Sequence, residues 1–114
     1  MPFINTKVNV EISEEKETVL KEKFGRAISL LPGKTENWLM LGFEDNCRLY
    51  FRGNKDEPAA FVEVKVYGAA NRTAFEKLTA EITRILAGEL SIAPDHIYVK
   101  YEACEHWGYN GANF

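Results

Sequence analysis

Polar and apolar residues alternate at the start of the chain, and then the period changes. Over residues 3–10 (FINTKVNV), Ile4, Thr6, Val8 and Val10 share one face at period two, which predicts a strand. Ser13 then offers an N-cap followed by Glu14 and Glu15, and Leu20, Phe24, Ala27, Ile28 and Leu31 form a helical stripe that Pro32-Gly33 ends. Trp38 to Phe43 (WLMLGF) is short and continuously apolar, so it reads as a buried strand; Glu44-Asp45-Asn46 reads as a turn into a further short strand at 48–51 (RLYF).

The pattern then repeats. After the polar loop Gly53 to Pro58, the run Phe61 to Tyr67 (FVEVKVY) places Val62, Val64 and Val66 on one face, and Gly68 ends it. Asn71 can cap a second helix with Phe75, Leu78, Ile82, Ile85 and Leu86 on its apolar side, finishing between Gly88 and Pro94. Ile97 to Tyr101 (IYVKY) closes the unit as a strand. Two strand-helix-strand crossovers of the same hand predict an α+β (α/β) domain spanning 1–114: a four-stranded mixed sheet with both helices on one face. The central strands read as apolar on both sides, so the uncovered face is expected to lie against another subunit.

Composition narrows the classes of function. With 114 residues, 46% hydrophobic and 27% charged, the chain suits one domain with one core. A net charge of −3 and the lack of a dense Lys/Arg cluster point away from nucleic acid. No apolar run is long enough for a membrane span, and the first residues lack a basic start and an apolar segment, so a soluble cytoplasmic protein is expected. Cys47 and Cys104 belong to no Cys-x-x-Cys or zinc pattern and are expected as buried or half-buried free thiols. His96 and His106 have no ligand-like spacing, so no metal is expected, and His96, after Asp95 at a turn, reads as a surface residue. Asn71-Arg72-Thr73 matches a glycosylation sequon but reads as a helix start.

Pro2 is the candidate of greatest chemical interest. Loss of Met1 would expose a rigid secondary amine, and burial beside a cation would bring such an amine toward neutrality as a general base. Met1-Pro2-Phe3, Pro32-Gly33-Lys34, Glu57-Pro58-Ala59, Asn71-Arg72, Pro94-Asp95-His96-Ile97-Tyr98-Val99 and the tail Trp107 to Phe114 (WGYNGANF) together resemble the macrophage migration inhibitory factor family over the whole chain. The resemblance implies a homotrimer of the tautomerase superfamily, with active sites at subunit interfaces and an N-terminal proline as acid/base.

Carried over position by position, the resemblance makes Pro2 the catalytic proline and Lys34 the lysine that holds a substrate carboxylate and favours the neutral amine. Tyr67 falls where a backbone N–H meets the substrate, with a deletion of a few residues after Gly68. Tyr98 matches a tyrosine contributed by the neighbouring subunit, and Trp38, Trp107, Tyr109 and Phe114 match pocket walls. Lys100 stands where the migration inhibitory factor has an asparagine and would bring a second cation, while Ala59 and Val62 replace its Cys-x-x-Cys and remove any basis for thiol-disulfide chemistry. The implied reaction is cofactor-free tautomerisation of a small aromatic 2-keto acid of the phenylpyruvate type. A second reading is a cytokine-like module that binds a protein receptor and is released without a signal peptide, keeping a vestigial pocket.

Overall fold

The computed structural model describes residues 1–114. The strands are β1 (Pro2–Val8), β2 (Met40–Glu44), β3 (Ala60–Tyr67) and β4 (Ile97–Cys104), with short β5 (Gly108–Tyr109) and β6 (Ala112–Asn113) in the tail. The helices are α1 (Glu14–Ala27) and α2 (Arg72–Leu90). Four strands form a mixed sheet in the order β2-β1-β3-β4: β1 pairs parallel with β2 and antiparallel with β3, which pairs parallel with β4.

Both helices start where the caps predict. Ser13 accepts from the Lys16 N–H at 3.1 Å and Asn71 from the Ala74 N–H at 3.0 Å, each satisfying an amide that the first turn would leave unpaired. Their apolar stripes, with Leu20, Phe24 and Ile28 from the first helical segment and Leu78, Ile82, Ile85 and Leu86 from the second, meet Ile4, Val8, Val62, Val64 and Val66 in one core. Thr6 lies fully buried among them, and its hydroxyl has no hydrogen-bond partner.

Several sequence expectations change. Val10 falls beyond β1, which ends at Val8. The expected buried strand at 38–43 begins only at Met40 and forms a sheet edge; Trp38 sits in a 3-10 turn, 48% exposed. Residues 48–51 form no strand, because Arg52 and Gly53 adopt left-handed conformations (φ 53° and 76°) that fold Phe51 back onto Asn54 in a tight turn. The open face of the sheet is not apolar: alternation places Asn5, Lys7, Glu63, Lys65, Lys100 and Glu102 there beside Phe3, Phe61 and Tyr98. Cys47 is half-buried as expected, whereas Cys104, at the end of edge strand β4, is exposed.

Candidate functional site

Pro2 begins β1 and is buried, paired with Val66 of β3. One residue along β3, the Tyr67 N–H donates to the Met1 carbonyl oxygen at 3.0 Å. Lys34 reaches the same place from the loop after α1. Its N–H closes a turn onto the Leu31 carbonyl at 3.0 Å, with Pro32 and the positive φ of Gly33 (78°) at the two positions where a type II turn favours them. Its ammonium then donates to the Tyr67 carbonyl at 2.9 Å, so the half-buried side chain is fixed rather than solvated.

Aromatic rings wall this corner. Trp38 meets Tyr109 edge-on at 5.2 Å, Tyr109 stacks on Phe114 at 6.2 Å, and Phe114 tilts against Tyr67 at 5.4 Å. Together with Met1 and Gly33 they enclose a cleft of about 350 Å³. A second recess of about 340 Å³ continues past Pro2, Met40 and Trp107. The tail holds its shape through a hairpin: Asn110 and Gly111 take φ of 54° and 82°, as a type I′ turn requires, and the Phe114 N–H donates to the Trp107 carbonyl at 3.0 Å. The Asn-Gly pair announces this hairpin in the sequence, although the tail reads there only as pocket wall. Larger hollows beside α1 and at the ends of β3 and β4 bring no buried amine and cation together.

The electrostatics suit a weakly basic amine. Burial, then the charge of Lys34, then the Lys34 hydrogen bond hold the α-amine of Met1 below its ordinary value. An amine at Pro2, one residue further into the same corner, would meet the same burial and the same cation.

Two expected site residues lie elsewhere in the protomer. Tyr98 pairs with Phe61, whereas Pro2 is in register with Val66 and, through it, with Ala103. Five residues along β4 separate Tyr98 from that position, roughly 16 Å at ~3.3 Å per residue. Tyr98 is 57% exposed on the open face, and the Lys100 ammonium next along pairs with Glu102 at 3.2 Å. A single chain therefore gathers Pro2, Lys34, Tyr67, Trp38, Trp107, Tyr109 and Phe114, and leaves Tyr98 at the other end of its sheet and Lys100 midway along β4 on the open face. No group of three or more His, Cys, Asp or Glu is placed to hold a metal ion, and no helix is long and apolar enough to cross a membrane.

With this geometry in view, comparison with known proteins is decisive. The profile of the macrophage migration inhibitory factor (MIF) family matches residues 1–114. The chain belongs to the MIF family. Among solved structures, it is similar to MIF2 of Leishmania major, at 32% identity and a TM-score of 0.92, covering 100% of this chain and 97% of that one. A MIF homologue from Prochlorococcus marinus is 28% identical with a TM-score of 0.87, covering 98% of each chain. The MIF of Toxoplasma gondii shares the fold at 19% identity, with a TM-score of 0.86 over 98% of this chain and 99% of that one. No curated protein sequence matches significantly. MIF membership gives the chain a MIF-like tautomerase/cytokine fold.

Proposed function

We propose that this MIF-family chain is a keto-enol tautomerase for aromatic 2-keto acids of the phenylpyruvate type, with the freed amine of Pro2 as general acid/base. The observation that carries the reading is the convergence of a buried Pro2, the Lys34 ammonium and the Tyr67 N–H on one aromatic cleft. In the structure the Met1 carbonyl occupies that N–H and stands in for a substrate oxygen. Removing Met1 would free both the donor and the amine.

In the forward direction, neutral Pro2 takes a proton from the carbon between the ring and the keto group. The C–H electron pair becomes the new C=C π bond as the C=O π pair moves onto the keto oxygen, which takes its proton from the prolinium to give the enol and restore the neutral amine. In reverse, the prolinium returns its proton to carbon. Lys34 pairs with the carboxylate, and the Tyr67 N–H meets the developing charge in a corner from which aromatic rings exclude water. The reaction needs no cofactor.

A homotrimer completes this reading. Tyr98 and Lys100 are remote from Pro2 within one chain, so they reach such a site only from a second copy. Trp38, Met40, Tyr98, Tyr109 and Phe114 are large apolar groups left exposed on one protomer. The test is a phenylpyruvate tautomerisation assay on protein whose N-terminus is verified by intact mass, alongside light scattering. Turnover by a particle of three chain masses is expected; a monomer, or no turnover from the Pro2-terminated form, would overturn the reading.

A further inference from the structure

Away from the cleft, the protein builds a polar clasp around a residue that the tautomerase chemistry does not use. His96 ends the 3-10 turn Pro94–His96 at the root of β4, and its side chain is only 14% exposed, not the surface group its place after Asp95 implies. Its Nε2 lies 2.9 Å from Glu57 and its Nδ1 2.9 Å from Asp95. A neutral imidazole has one N–H and can donate to only one of these carboxylates. The imidazolium donates to both.

The remaining neighbours extend the clasp toward Tyr98. Phe51 meets the His96 ring edge-on at 5.2 Å and the Tyr98 ring at 5.3 Å, and Phe61 of β3 meets Tyr98 edge-on with ring centres 6.3 Å apart. Arg52 sits over Phe51 at 4.9 Å and pairs with the other oxygen of Asp95 at 3.6 Å. The charged groups around His96 are thus Glu57 and Arg52 from the loop and Asp95 from its own turn, while β3 and β4 present aromatic rings.

We infer that His96 is a positioning residue for Tyr98, acting through its protonated ring. Charged, it ties the loop that carries Phe51 and Glu57 to the root of β4 and holds Phe51 against Tyr98. Neutral, it leaves one carboxylate facing a ring lone pair, and the loop loosens from the strand. This rests on the function proposed above, in which Tyr98 enters a site across a subunit interface. Pro2 works as a base when neutral and His96 holds Tyr98 when charged, so the clasp weakens substrate binding once the His96 ring has lost its proton.

The experiment follows the Tyr98 ring by NMR on tyrosine-labelled trimer between about pH 5 and 8.5, with Tyr98→Phe used for assignment, together with KM for phenylpyruvate on the same samples. Tyr98 signals are expected to shift with the His96 ring, and KM to rise about threefold or more as that ring deprotonates. His96→Gln, which hydrogen bonds but cannot titrate, should make both pH-independent, and Glu57→Gln should reduce both if the first variant fails to fold. Tyr98 signals that stay still while His96 titrates, or a His96→Gln protein that keeps the wild-type pH dependence, would overturn the inference. A Tyr98 shift without any turnover would leave the clasp standing and sink the tautomerase reading instead.

Discussion

The two ends of the sheet use similar residues to opposite effect. At the Pro2 end, the Lys34 ammonium and the Tyr67 N–H hold only backbone oxygens, and the aromatic rings stand apart around a cleft. At the Tyr98 end, side chains answer one another: His96 with Glu57 and Asp95, Arg52 with Asp95. Density of charge would have selected the second end. The pairing pattern selects the first, because a donor whose only acceptor belongs to a removable residue becomes free for a ligand.

The strongest way to break this comparison is at Pro2. With Met1 attached, the Pro2 nitrogen is an amide without a basic lone pair, so the Met1-retaining form and Pro2→Ala are expected to lose at least about 10² in kcat/KM with the fold retained. Equal rates from mass-verified blocked and free samples would place the base elsewhere.

Lys34→Ala comes next, with kcat/KM for phenylpyruvate expected to fall roughly tenfold or more, as for loss of a charge-assisted hydrogen bond. The sign of its pH effect follows from the site. The cation disfavours a protonated amine nearby, so removing it raises the amine's pKa and moves the ascending, acid-side limb of the rate profile to higher pH. An unmoved limb would detach Lys34 from the amine.

Much of the contrast was legible in the sequence, and the reason for the remainder is physical. Period-two and helical spacing placed the covered face of β1 and β3 and both helix stripes, because burial on one face writes itself into alternate residues. Pro32-Gly33 marked where the first helix stops, while the turn that carries Lys34 to Tyr67 emerged only in the fold. The same alternation was misjudged for the open face, where Asn5, Lys7, Glu63 and Lys65 interrupt Phe3, Phe61 and Tyr67. The supposed strand at 48–51 failed because nothing in Arg48 to Phe51 announces that Arg52 will turn left-handed. His96 was taken for a surface residue because Glu57 lies far from it in the chain, and only the fold brings the two together.

Two smaller effects sharpen the comparison at the Tyr98 end. Asp95 is held below its ordinary carboxylate value, chiefly by the hydrogen bond from His96, with the charges of His96 and Arg52 adding to it. A depressed folded value means stability present above the unfolded pKa of ~3.9 and lost as pH falls through the lower folded one. Acid unfolding followed by circular dichroism should therefore lose that component in Asp95→Asn; an unchanged acid transition would make the clasp energetically idle.

Lys100→Asn should do least. Its ammonium is paired with Glu102 in the open, a contact worth less than about 1 kcal/mol, so thermal stability is expected to stay close to wild type, while loss of a cation that a second copy brings to the cleft should move the rise of the rate slightly to higher pH. A profile identical to wild type would leave the ammonium outside the neighbouring copy's cleft.

The seat of Met1 is also a template for inhibitor design. Its carbonyl lies 3.0 Å from the Tyr67 nitrogen, and the residue lines the cleft with Trp38, Tyr109 and Phe114. The chain thus carries an outline of a blocking compound: an acceptor oxygen for one backbone donor, joined to a slim apolar group sized for the aromatic walls. Adding a carboxylate within reach of Lys34 would supply the contact that methionine lacks.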